Sequence, residues 1–104
     1  MTEYLDAVIE ISKERKKYFE NFQDYARLIK NTVRLRDAEV MIFGSVVDGE
    51  HTMASDIDIL IISDAVPERL NERAEILSRI NEVLGELHPF EIHLIKRGEF
   101  EWYR

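Results

Sequence analysis

The residues best suited to chemistry in this chain of 104 residues are Gly44, Ser45, Asp56 and Asp58. Gly44-Ser45 ends one apolar run. Ten residues later, Asp56-Ile57-Asp58 heads a second apolar run that continues to Ile62. Residues i and i+2 of a strand point to the same side. A strand over 56–62 therefore sets Asp56 and Asp58 on one face and Ile57, Ile59 and Ile61 on the other. Two adjacent carboxylates repel unless a cation stands between them. Such a pair beside a glycine–serine turn reads as a magnesium site next to a phosphate-binding turn, hence nucleotide chemistry.

Each residue type has a physical task in that reading. Phosphates are best met by backbone N–H donors at a helix start after a tight turn. Gly44 lets the chain approach closely, and Ser45 adds a hydroxyl for a terminal phosphate oxygen. Mg²⁺, or Mn²⁺ in its place, takes carboxylate, phosphate and water oxygens. A second ion about 3.5–4 Å away would clamp the attacking and departing oxygens. It calls for a third carboxylate on a neighbouring strand, and Glu91 is the acidic residue inside the apolar run 90–95. Plainer readings stand beside these. Gly-Ser pairs end many strands, Asp56 can cap a loop through its own backbone, and Glu91 can face solvent on an edge strand. His93 shares the Glu91 face and is read as structural, whereas His51 and His88 are read as loop residues.

Elements must exist to hold these groups. Residues 3–35 contain no Gly and no Pro, and Leu5, Val8, Phe19, Phe22, Ala26, Ile29 and Val33 follow helical spacing, interrupted at Ser12 and Arg15. Tyr4, Ile11, Tyr18 and Tyr25 form a second line beside them. One long helix, or two broken near residues 13–17, is expected. A single helix of about 33 residues would span about 50 Å, more than a domain of this size needs, so part of its apolar stripe is expected to cover a partner. Strands are expected over 39–43, 56–62 and 90–95, with a short helix or turn after Ser45. A helix is expected over 67–84 with Leu70, Ala74, Leu77, Ile80 and Leu84 inward. The tail 97–104 is expected to hold one helical turn. The order predicts an α/β (α+β) domain with a small mixed sheet backed by helices and a long N-terminal helix. One domain is expected over 1–104, with a helical segment over 1–36 and a core over 38–96.

Composition narrows the classes. The chain is 45% hydrophobic and 34% charged, with no cysteine. Disulfides, thiolate metal sites and cysteine nucleophiles are thereby excluded. Its net charge of −7 argues against the chain alone gripping nucleic acid, since that binding is driven by phosphate neutralisation. No apolar run approaches a membrane span. The first residues show neither a basic start nor an apolar signal core, and a cytoplasmic location is the expectation.

Gly44-Ser45, ten residues, then Asp56-Ile57-Asp58, within the context Ser55-Asp56-Ile57-Asp58-Ile59-Leu60-Ile61, resembles the signature of the DNA polymerase β-like nucleotidyltransferase superfamily. The match is to its minimal nucleotidyltransferase (MNT) group, over about residues 38–96. The resemblance implies Mg²⁺-dependent transfer of a nucleoside monophosphate, AMP from ATP, to an acceptor hydroxyl. It implies that Gly44 and Ser45 hold the triphosphate, that Asp56 and Asp58 bind both metals, and that Glu91 binds one metal and helps deprotonate the acceptor. MNT proteins pair with helical HEPN proteins in toxin–antitoxin modules, so a HEPN-type partner bearing the hydroxyl is implied too. A homo-oligomer through the N-terminal helix, or a noncatalytic antitoxin-like binding partner, are the alternatives. Many relatives carry an arginine four residues after the motif glycine. Here Asp48 stands there, and its charge raises the cost of binding a triphosphate.

Overall fold

A computed structural model describes residues 2–43, 56–85 and 87–100. Gly44, Ser45, Asp48, His51 and the turn expected after Ser45 lie outside the described residues. The chain runs α1 (Thr2–Glu20), α2 (Phe22–Val33), β1 (Glu39–Phe43), β2 (Ile57–Ile62), α3 (Leu70–Leu84), β3 (Phe90–Ile95) and α4 (Arg97–Phe100). The sheet has the order β1-β2-β3, with β1 antiparallel and β3 parallel to β2. This is the small mixed sheet with helices that the sequence pattern predicts. The parallel pair requires a crossover, and α3 provides it.

The central strand reads Ile-Asp-Ile-Leu-Ile-Ile, and its two faces have different neighbours. Ile57, Ile59 and Ile61 are fully buried and pack with Phe19 of α1, Ile29 and Val33 of α2, and Ile76, Ile80 and Leu84 of α3. Leu60 and Ile62 form a smaller cluster on the opposite face with Ile95, Met41 and Phe100. Asp58 shares that second face by alternation. The hydrophobic effect thus fastens one side of β2 under the helices and leaves the other side open for a polar group.

The helical segment is two helices, but the break falls at Asn21, not near residues 13–17. Residues 13–17 stay helical because they are good helix formers with exposed ion pairs of Lys13 to Glu10, Lys17 to Glu14 and Lys16 to Glu20 at 3.6–4.0 Å. Arg15 fills the interruption in the stripe by laying its guanidinium over Phe19, 5.9 Å from the ring centroid. At Asn21 the side-chain amide donates to the Lys17 carbonyl at 2.9 Å and satisfies an end group of α1. Of the apolar stripe, Phe19, Ala26, Ile29 and Val33 are buried, whereas Leu5 and Val8 are exposed. Tyr4, Ile9 and Ile11 are exposed too.

α3 starts at Leu70, three residues later than expected. Pro67 lies outside it, and its carbonyl accepts from Arg73 Nε at 2.6 Å. Leu70 is consequently not inward but 82% exposed, and Ala74 is exposed as well. Ile76, Ile80 and Leu84 carry the buried face. At the other end, the Tyr18 hydroxyl donates to the Leu84 carbonyl, and Gly85 turns the chain away at φ 92°, a value that favours glycine. Tyr18, Tyr25 and Phe90 gather there with ring centroids 4.8–5.8 Å apart, within the range of favourable aromatic pairing. That cluster fixes the start of β3 against both N-terminal helices.

Candidate metal and nucleotide site

The register of β2 and β3 assembles the site. Asp58 pairs with Glu91, and Leu60 with His93. In a parallel pair, such neighbours share a face, so Asp58, Glu91 and His93 converge on the open side of the sheet. One ligand atom from each lies within 4.8 Å of the others. His93 Nε2 stands 3.8 Å from Asp58 Oδ1 and 3.8 Å from Glu91 Oε1. Phe43, which pairs with Asp58 from β1, joins Asp58, Leu60 and His93 around a cavity of about 200 Å³. A larger depression of about 580 Å³ runs along α3 past Ala74, Ser78 and Glu82, away from these carboxylates.

Asp56 is exposed and stands one residue before β2. Ladder pairing starts at Ile57 with Phe90, and the group of three does not include Asp56. Gly44 and Ser45 fall outside the described residues. Of Arg34, Arg36, Lys96 and Arg97, the basic residues whose charge could offset that of Asp48, Lys96 and Arg97 are engaged elsewhere. Lys96 binds Glu68 at 2.9 Å, and Arg97 binds Glu39 at 2.8 Å and the Asp37 carbonyl at 2.7 Å. Glu39 pairs with Ile62, four residues and about 13 Å along β2 from Asp58.

The three side chains form a group that could hold a divalent cation. Two ligands each about 2.1 Å from one ion lie at most about 4.2 Å apart. The imidazole is already inside that limit with both carboxylates. Asp58 and Glu91 are like charges side by side, an arrangement that costs stability unless neutralised. The half-buried His93, with its side chain 34% exposed, is the residue that sequence reasoning undervalued. Its i+2 spacing from Glu91 announced the shared face, but not the approach to Asp58 across the sheet.

His88 lies in a loop, as expected, and braces the start of β3. His88 Nε2 lies 2.7 Å from Asn81 Oδ1 of α3, and His88 Nδ1 accepts the Phe90 N–H at 3.1 Å. The two contacts together require the neutral ring with its proton on Nε2. The Pro89 carbonyl meanwhile accepts the Ile57 N–H at 2.8 Å, tying the starts of β2 and β3 together. Burial holds the His88 pKa below its ordinary 6.5. The unfolded chain therefore takes up this proton first as pH falls. The stabilisation is complete above about pH 6.5 and is lost between there and the lowered folded value. Thermal melts of the wild type should fall more steeply between about pH 7 and pH 5 than those of His88→Gln. Parallel slopes would remove His88 as a proton-linked brace.

Comparison with known proteins agrees with this architecture. A family profile described as a nucleotidyltransferase domain matches residues 25–104. The solved structure of a proposed nucleotidyltransferase from Sulfolobus solfataricus superposes with a TM-score of 0.56 at 21% identity, covering 88% of this chain and 78% of its own. That likeness is one of fold. No curated protein matches the sequence.

Proposed function

Because the chain belongs to the nucleotidyltransferase domain family, a family of transferases, we propose that it moves AMP from ATP to an acceptor hydroxyl with Mg²⁺ or Mn²⁺. The observation that carries this reading is the convergence of Asp58 and Glu91 on the open face of the sheet. Asp56, Asp58 and Glu91 would hold the ions, and Gly44 and Ser45 the triphosphate. When bound, such ions supply charge neutralisation to the triphosphate and acidify a nearby hydroxyl. The acceptor oxygen bonds to the α-phosphorus, the bond to pyrophosphate breaks, and Glu91 takes the hydroxyl proton. Positioning of acceptor and nucleotide would supply much of the remaining rate.

The acceptor is best sought on another protein. Tyr4, Leu5, Val8, Ile9 and Ile11 are all more than 40% exposed on α1, an apolar run without intramolecular cover among the described residues. A helical protein of the HEPN type, docked there and offering a tyrosine, is the partner this reading favours. The same exposed run supports a second reading, in which the chain masks a partner without modifying it, as an antitoxin would. Incubation with α-labelled ATP, Mg²⁺ and the partner separates the two. Label on the partner is expected for the transferase. A stable complex that never acquires label would leave only the masking role.

A further inference from the structure

We infer that His93 is a metal ligand, and that its imidazole makes this site prefer Mn²⁺ to Mg²⁺. The inference rests on the proposed ion site and adds the identity of the ion. Three observations carry it. His93 Nε2 lies equally far, 3.8 Å, from one oxygen of Asp58 and one of Glu91. All three ligand atoms fall within one small sphere. His93 also lines the same cavity as Asp58.

The chemistry of the donors gives the preference its direction. Mg²⁺ is a hard ion that favours oxygen and keeps its water, so a nitrogen beside the carboxylates gains it little. Manganese accepts carboxylate oxygens as magnesium does, and as a larger, softer ion with accessible d orbitals it gains more from an imidazole nitrogen than magnesium does. A set of two carboxylates and one imidazole therefore favours the transition ion. The plain structural account of His93 predicts a different contact pattern. A histidine kept for packing would pair its nitrogens with neutral hydrogen-bonding groups, as His88 does with the Asn81 side-chain amide and the Phe90 N–H. His93 Nε2 faces the two carboxylates instead.

The test uses the intact chain without nucleotide. Calorimetric titration should give Mn²⁺ an affinity at least about tenfold above Mg²⁺, a scale on which losing even an outer partner of a ligand acts. His93→Gln should reduce Mn²⁺ affinity by a similar factor and leave Mg²⁺ within about twofold. Electron spin-echo modulation of bound Mn²⁺ should show a ¹⁴N coupling in the wild type that disappears in His93→Gln, with circular dichroism unchanged. Mn²⁺ bound without that coupling, or with affinity indifferent to His93→Gln, overturns the ligand role and leaves the carboxylate site standing. A wild-type chain that binds neither ion overturns both.

Discussion

Asp58→Asn is expected to lower the rate of nucleotidyl transfer by at least about a hundredfold while the fold persists. The substitution keeps the shape of the side chain and removes its charge. If Asp58 holds an ion, the loss reaches several kcal/mol of transition-state stabilisation, and each 1.36 kcal/mol is tenfold in rate. Folding should scarcely notice, because the Asp58 side chain is 41% exposed and its removal as a charge relieves the repulsion with Glu91. A melting temperature equal to or above that of the wild type, together with lost label transfer, is the expected pair of results. Activity within a few-fold of the wild type would move the chemistry away from this strand.

One residue further on, the expected effect reverses. Ile59→Ala should cost about 3 kcal/mol of folding free energy, within the range of about 2–5 kcal/mol for such truncations. Ile59 is fully buried in the central strand and packs in the main core, so neither water nor a neighbour can fill the space cheaply. Against a typical total of about 5–15 kcal/mol, this is a large fraction, visible as a lower urea midpoint with an unchanged slope. Leu70→Ala gives the contrast. Its side chain is 82% exposed, and a change within about 0.5 kcal/mol is expected. Similar losses at both positions would contradict the burial on which the core is drawn.

These adjacent residues show why the strands were legible. Alternation at the starts of the two strands, 57–59 and 90–92, separates a core face from an open face before any contact is known, whereas further along Leu60, Ile62 and Ile95 bury the second face as well. The helical boundaries were less legible because their signals are short-range and compete. The polar stretch at residues 13–17 looks like an interruption, yet its ion pairs and the Arg15–Phe19 contact keep it helical. The break falls at Asn21, whose backbone N–H and side-chain amide both donate to the Lys17 carbonyl, a local detail that hydrophobic spacing does not register. Pro67 favours a helix start by its own geometry, but Arg73 captures its carbonyl. At the site, Glu91 could be named from its place in an apolar strand. His93 could not be joined to Asp58, because that contact depends on the register of two strands separated by a whole helix.

The exposed turns of α1 give the molecule two tiers of cohesion. Residues 3–11 are exposed throughout, so their amides are guarded by little beyond the helix's own ladder. Fraying there releases no core contact, whereas opening β2 dismantles the whole packed unit. A protein settling over Leu5, Val8 and Ile11 would draw the loose tier into the cooperative one. Occupancy of that surface would then register as slowed amide exchange and resistance to proteolytic trimming.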